Sequence, residues 1–436
     1  MSHRLASVAA LAVSLLALVR CAPPDSAAEP DLSPGTSTQA LSPGGGLRFM
    51  TYNIKHGELS SLEAIASVIN GQAPDLVALQ EVDVLTNRSG NVDQATRLGQ
   101  LTGLYSAFVP SLLSYDSGQY GLTLLSRYPI LTSQRIALRS AAEQRILALF
   151  EVQLDAQHVI PVGVTHFGTT SASERLNQAD DIKAALTGKP WALLAGDLNA
   201  SPSESGITSL LQQFTDAWTR GGSGSGYTID ALFPTKRIDY VMLGSAWSSP
   251  LTASVVSASS QSDHRPVVAT LILPWSQTLL GDRVPGTAVQ ADTKAVEVGV
   301  RFRSNVPGTI EALRFYRGTA NSSGYVAHLW SSTGTLLAQV SVRDGRIPGW
   351  QEGTLSTPVA IAAGQTYVVS YYTSNGQFAR DVNGLTNAIV SGNLTAPGSA
   401  SVGGNGVYVY ATGGGFPTSS YKDANYWVDV RFKPTP

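Results

Sequence analysis

The chain has 436 residues, enough for about two or three domains with sizeable cores. Charged residues make up only 14% and the formal net charge is -2, which excludes a general electrostatic pull towards nucleic acid and leaves any phosphate affinity to a local site. Cys21 is the single cysteine, so a disulfide within the chain is excluded.

Met1 to Arg4 forms a short basic head and Leu5 to Val19 an apolar run of signal-peptide length, too short for a membrane span. Residues 1–21 therefore read as an export signal, with an extracellular or periplasmic destination. Cys21 sits where a bacterial lipoprotein signal carries its lipidated cysteine, although Arg20 stands where that pattern has a small residue. The other reading is cleavage after Ser26-Ala27-Ala28, which leaves no anchor. Residues 22–46, rich in Pro, Ser, Gly and Ala without apolar periodicity, read as a flexible tether.

From Leu47 the pattern becomes that of a folded domain. Leu47, Phe49 and Thr51 alternate with Arg48, Met50 and Tyr52, a strand running into Asn53. Leu62, Ile65, Ala66 and Ile69 recur at helical spacing and Gly71 offers a stop. Asp75 to Leu79 is a buried-strand run ending in Gln80-Glu81, and a helix follows from Asp93 to Leu101. Strands are expected at Gly121 to Ser126, Arg145 to Leu154 and His158 to His166, and a helix from Ser173 to Leu186. The apolar run Trp191 to Ala195 stops at Gly196 and presents Asp197 and Asn199 on one side of the chain. A helix from Ser203 to Phe214 and strands at Arg237 to Leu243 and Pro266 to Leu273 complete the domain. Strands alternating with helices, several linked directly, indicate a layered α/β or α+β fold with a mixed sheet arrangement.

Polar residues collect at strand ends. Asn53, Glu81, His166 and Asp197 close strands, whereas Asp239, Asp263 and His264 stand at or before the start of others. If the later strands run antiparallel to the earlier ones, all reach one edge. Glu81, Asn53 and Asp263 are hard oxygen ligands suited to Mg²⁺, Mn²⁺ or Ca²⁺. Zinc is disfavoured because Cys21 lies outside the domain and no pair of histidines has ligand spacing. His166 and His264 can move protons or stabilise an oxyanion. A cation beside paired Asp and His residues suits hydrolysis of a phosphate ester.

Thr51-Tyr52-Asn53-Ile54, Leu79-Gln80-Glu81, Thr165-His166-Phe167, Gly196-Asp197-Leu198-Asn199, Arg237-Ile238-Asp239-Tyr240 and Ser262-Asp263-His264 occur in this order. The series resembles the endonuclease/exonuclease/phosphatase superfamily over Leu47 to Pro274. The resemblance implies a four-layer α/β/β/α sandwich with two mixed sheets face to face. It also implies Glu81 as metal ligand with Asn53 and Asp263 in or near the shell. Asp197 would activate the attacking water, and Asn199 would hold a phosphate oxygen. His264, supported by Asp239, would stabilise the transition state, and His166 would help protonate the leaving group. Tyr52 to Gly57 and Val92-Asp93-Gln94 look closest to secreted bacterial members and to the branch that remodels glycosylphosphatidylinositol anchors. Gly121-Leu122-Thr123 lacks the Asn that many relatives carry after the Gly; Tyr120 and Arg145 are the candidates to replace that substrate contact.

Residues 275–285 read as a linker. From residue 286 to 434, short alternating strands separated by Gly, Ser and Asn turns indicate an all-β sandwich. Val298 to Phe302, Gly349-Trp350-Gln351 and Asn425 to Val430 resemble a domain of unknown function appended to secreted bacterial enzymes. Its aromatics offer a possible glycan or cell-surface contact.

The expected activity is that of an exported, divalent-metal-dependent phosphodiesterase. A small or lipid-linked phosphodiester ranks ahead of DNA, because Lys55, Arg88, Arg127, Arg145, Lys236, Arg237 and Arg265 are scattered with no basic run. A secreted DNase-like endonuclease is the alternative. A reading of another class is a glycan-binding adhesion protein with an inactive hydrolase domain; against it, no acid, amide or histidine of the motif set is missing. No obligate protein partner is indicated.

Overall fold

The computed structural model describes residues 46–155, 157–247, 252–257, 260–318, 325–342 and 348–435. The expected export signal and all but the last residue of the tether lie outside these.

In β1 (Leu47–Asn53), period-two alternation turns Leu47 and Phe49 to one face and Met50 and Tyr52 to the other. Helix α1 (Leu62–Gln72) starts at Ser61, whose side chain accepts from the Ala64 amide, and ends at Ala73 rather than Gly71, in a left-handed turn. It is followed by β2 (Leu76–Val84), α2 (Gln94–Thr102), β3 (Tyr105–Tyr115), β4 (Gly118–Ser126), β5 (Ile130–Ala137), β6 (Ile146–Gln153) and β7 (Val159–His166). The domain continues through α3 (Ala172–Ala185), β8 (Leu193–Asp197), α4 (Ser205–Leu210), β9 (Phe214–Asp216), α5 (Ala217–Gly221), β10 (Asp239–Gly244), β11 (Thr252–Val255) and β12 (Val267–Leu271).

Two six-stranded sheets result, in the orders β11-β12-β1-β2-β4-β3 and β5-β6-β7-β8-β10-β9. Their facing sides share a core that includes Phe49, Ala78, Leu124, Phe150, Val162, Leu193, Val241 and Ala269. On the outside of the first sheet, Met50, Val77 and Leu79 meet Ile65 and Ile69 of α1 and Leu98 of α2. On the outside of the second, Leu194, Tyr240 and Met242 meet Ile182 of α3 and Ile207 of α4. This is the expected four-layer sandwich.

Pairing is parallel between β1 and β2 and between β7 and β8. It is antiparallel between β1 and β12 and between β8 and β10. The ends of β1, β2, β7 and β8 therefore meet the starts of β10 and β12 at one edge of the sandwich.

Several elements differ from expectation. The helix expected over Ser203 to Phe214 is only α4, because Phe214 is drawn into the core by pairing with Gly244. Strands β3 and β5 were not expected: both lie at sheet edges, where half-exposed serines and polar residues blur the alternation.

Among its described residues the second domain is all-β apart from a short helix at Ser399–Val402. A four-stranded sheet that includes Gly308–Arg317 and Val428–Pro434 and an eight-stranded sheet that includes Val296–Ser304 and Thr366–Thr373 contribute to one core. The segment expected as a linker is partly built into it: Gln277-Thr278 pair with Arg431-Phe432, and Leu279 and Leu280 are buried. No helix among the described residues is long and apolar enough to cross a membrane.

A glycine in β8 makes the sheet beneath the site testable. A Cβ on Gly196 would lie 2.0 Å from the Thr165 carbonyl oxygen, a backbone atom of the neighbouring strand. Gly196→Ala is expected to cost at least about 1–3 kcal/mol in urea unfolding. Unchanged stability would contradict the close approach of β7 and β8.

Candidate active site

Glu81 reaches the site through a break in regular structure. Val77 and Leu79 face the helices, and continued alternation would send Glu81 the same way. Instead β2 shifts register against β4 between Leu79 and Val82, and Glu81 takes a left-handed backbone (φ 58°). Its Oε1 accepts from Asn53 Nδ2 at 2.9 Å. Burial works against its ionisation, but His56, whose Nδ1 is 3.8 Å from Oε2, and the Asn53 amide hold it down at about 2. Asn53, fully buried at the end of β1, also donates to Asp197 Oδ2 at 3.1 Å.

Asp197 ends β8 opposite Asp239, the first residue of β10. His264 Nδ1 bonds Asp239 Oδ2 at 2.9 Å, and its Nε2 stands 3.6 Å from Asp197 Oδ2. Burial opposes the imidazolium, yet the charges of Asp239 and Asp197 win and raise His264 to about 10. Burial lifts Asp197 to about 7, with Asp239 adding to it against the His264 charge. Asn199 donates its backbone N–H to Asp197 Oδ1 at 2.9 Å. Its side-chain amide donates to the Phe167 carbonyl at 3.0 Å, so that N–H braces the loop.

His166 has a fixed tautomer. Arg145 Nη1 lies 3.1 Å from His166 Nδ1, and both side chains are buried. A guanidinium only donates, so Nδ1 accepts and the ring proton sits on Nε2, 3.4 Å from Asp197 Oδ2. Burial and then the Arg145 charge push His166 down to about 3. It is therefore a neutral hydrogen-bond donor, a weaker acid than the leaving-group role implied by resemblance requires.

The donor set fits a divalent cation. Asp239 Oδ1 is buried with no hydrogen-bond partner among the described residues. Asp197, Asp239 and His264 each bring a ligand atom within 4.8 Å of the others, and Glu81 adds an ionised oxygen donor. The expected trio is less uniform. Asn53 Oδ1 accepts the Lys55 amide, and Asp263 Oδ2 pairs with Lys55 Nζ at 3.2 Å, so Asp263 already has a cation beside it.

Glu81, His166, Asp197, Asn199 and His264 line a cavity of about 290 Å³. Tyr120 and Arg145 both line it, where a substrate contact was expected. The sequence reading missed Arg88 as a wall residue, and Tyr115 and Glu143 altogether. Arg88 and Tyr115 belong to loops and an edge strand without periodic signal; Glu143, two residues before Arg145, offered none.

The paired charges predict how stability depends on pH. His264 is raised from 6.5 in the unfolded chain to about 10, so its contribution is complete below pH 6.5 and is lost as pH rises through 10. Asp197, also raised, loses its contribution by about pH 7. His166 is lowered and acts only below pH 6.5. The metal-free protein should therefore lose stability between pH 7 and 10, and His264→Gln should flatten that loss in urea titrations. An unchanged slope would contradict the His264–Asp239 pairing.

Residues 50–264 match the Endonuclease/Exonuclease/phosphatase family, and residues 282–428 match a Domain of unknown function (DUF4082). Among solved structures, the chain is similar to an endonuclease/exonuclease/phosphatase from Beutenbergia cavernae, at 20% identity over 76% of this chain and 100% of that one, with a TM-score of 0.46. One from Bacteroides vulgatus has 19% identity over 52% and 98%, TM-score 0.45. A mannosyl-6-phosphatase from Bacteroides thetaiotaomicron has 15% identity over 52% and 100%, TM-score 0.45. Residues 50–264 are thus an endonuclease/exonuclease/phosphatase-family domain, a phosphoric ester hydrolase.

Proposed function

We propose that this endonuclease/exonuclease/phosphatase-family chain is an exported, divalent-metal-dependent phosphodiesterase acting on a small or lipid-linked phosphodiester. The observation that carries the substrate reading is the cavity: about 290 Å³ with Asp197, His166 and His264 in its wall, a size for a phosphate and one small group beside it. Phe233 and Leu232 support a substrate held at a lipid surface. They are 80% and 60% exposed on a loop tied to the His264 segment through Ala231 N–H to the Asp263 carbonyl at 2.7 Å. Export rests on residues 1–21, outside the described structure. The second domain is proposed to contact glycan or the cell surface, with Tyr410 and Tyr421 as its exposed aromatics.

In the proposed mechanism, Asp197 takes a proton from the attacking water while the water oxygen bonds to phosphorus. Asn53 and the Asn199 amide orient that carboxylate. His166 donates a hydrogen bond from Nε2 to a phosphoryl oxygen. As the ester P–O bond breaks, the leaving alkoxide receives its proton from the His264 imidazolium, which Asp239 holds in place. Glu81 would hold the metal together with Asp239 Oδ1, the buried oxygen left without a partner among the described residues, which leaves Asp197 and His264 for proton transfer. A bound Mg²⁺, Mn²⁺ or Ca²⁺ would neutralise phosphoryl charge.

The test is a side-by-side assay of the full chain on plasmid DNA, phosphatidylinositol and sphingomyelin with Mg²⁺ at moderate salt. Lipid turnover without DNA degradation is expected. Rapid DNA degradation with no lipid turnover would establish the nuclease reading instead.

A further inference from the structure

We propose that the outer part of the catalytic cavity is a polyol subsite, in which Arg88, Glu143 and Arg145, with the rings of Tyr115 and Tyr120, take the hydroxyl groups of the alcohol side of the ester. The proposal rests on the phosphodiesterase reading and names the chemistry of its substrate.

The wall is preorganised. Arg88 donates to fully buried Asp83 through Nε at 2.7 Å and Nη2 at 2.8 Å, and through Nη1 to the Tyr115 hydroxyl at 3.1 Å. Its guanidinium lies 4.7 Å from the Tyr115 ring centre and 5.4 Å from that of Tyr120. Arg145 is held between Glu143 Oε1 at 2.9 Å and His166 Nδ1 at 3.1 Å. Its Nε is buried and has no partner among the described residues, although the side chain lines the cavity. A buried donor left in this state is costly unless a ligand oxygen meets it.

Charge selects among ligands. The guanidiniums of Arg88 and Arg145 face the carboxylates of Asp83 and Glu143, so the wall is polar but balanced. A second phosphate would meet Glu143 without an uncompensated cation to attract it. An acyl chain or an unsubstituted aromatic leaving group would strip water from the arginines and Glu143 and replace none of their hydrogen bonds. A hydroxyl both donates and accepts. Vicinal hydroxyls on a ring can therefore serve the arginine N–H groups and Glu143 together, while the ring's C–H face rests on the tyrosines. The volume, near the lower end of the roughly 300–1,000 Å³ usual for small-molecule sites, leaves room for one such ring beside the phosphate. Free cyclic polyol or sugar phosphodiesters and lipids with such head groups share this chemistry.

The test compares kcat/KM of the full chain, with Mg²⁺, for glycerophosphoinositol, phosphatidylinositol vesicles and bis-(p-nitrophenyl) phosphate. Glu143→Gln and Arg88→Met are each expected to lower the ratio of polyol ester to bis-(p-nitrophenyl) phosphate by about 3–10-fold, the worth of a hydrogen bond at a partly exposed site. Glu143 is partly exposed, so its variant keeps the fold if Arg88→Met does not. Free myo-inositol should compete with glycerophosphoinositol in the wild type and lose potency in Glu143→Gln. Loss of the ratio with only one of the two inositol esters tells a free substrate from a lipid-linked one. Turnover of bis-(p-nitrophenyl) phosphate with an unchanged ratio in both variants overturns the subsite alone. No turnover of any ester overturns the phosphodiesterase reading with it.

Discussion

Asp197→Asn is expected to lower turnover by about 10²–10⁴-fold, the range for a lost general base, without a large fall in Tm. The carboxylate is buried at the meeting point of Asn53, His166, His264 and the Asn199 amide. Of the neighbouring carboxylates among the described residues, Asp239 is turned to His264 Nδ1 and Glu81 is bonded to Asn53. The fold tolerates the change because burial already raises Asp197 to about 7, a sign that the ionised form is held at a cost. Asn keeps an oxygen to accept the Asn199 N–H and removes the repulsion with Asp239. Steady-state kinetics beside a thermal melt check both halves. Full activity would remove Asp197 from the reaction; a collapsed melt would make its role structural.

His264→Gln should cost about 10²–10³-fold in kcat, the size of effect seen when a preorganised donor to developing charge is removed. Glutamine retains an N–H but not the imidazolium that Asp239 and Asp197 maintain up to about pH 10. Asp239→Asn should produce much of the same loss, because it removes the negative charge opposite Nδ1 that supports the imidazolium. The double variant should then fall little below the worse single one. Additive losses would show that the two residues work separately.

Much of this site was legible in the sequence because β strands with a buried face write their alternation plainly. Leu47 to Asn53 and Leu193 to Asp197 carry apolar side chains to the inter-sheet core and end in Asn53 and Asp197 on that same face. Once β10 and β12 run antiparallel to β8 and β1, Asp239 and His264 must arrive at the same edge. What stayed hidden depends on departures from period. The bulge that turns Glu81 inward leaves no mark in Leu76 to Val84, where simple alternation would set Glu81 among Val77 and Leu79. The Arg145–His166 contact arises from the register of β6 against β7, which pairs Leu147 with Thr165 and which no local pattern specifies. Lys55, drawn to Asp263, lies in a short turn with left-handed backbone that composition alone does not reveal. The polar wall of the cavity depends on edge strand β3, whose mixed exposure hid it.

Glu81 and the Asp197–His264 cluster are proposed to form a metal-dependent phosphoester-cleaving centre. Hydrolysis of bis-(p-nitrophenyl) phosphate by the full chain in Mg²⁺ or Mn²⁺, followed before and after EDTA and on metal restoration, tests it most directly. Turnover that EDTA abolishes and added metal restores is expected, with Glu81→Ala inactive at the same metal concentration. Turnover untouched by chelation, or equal in Glu81→Ala, would contradict it.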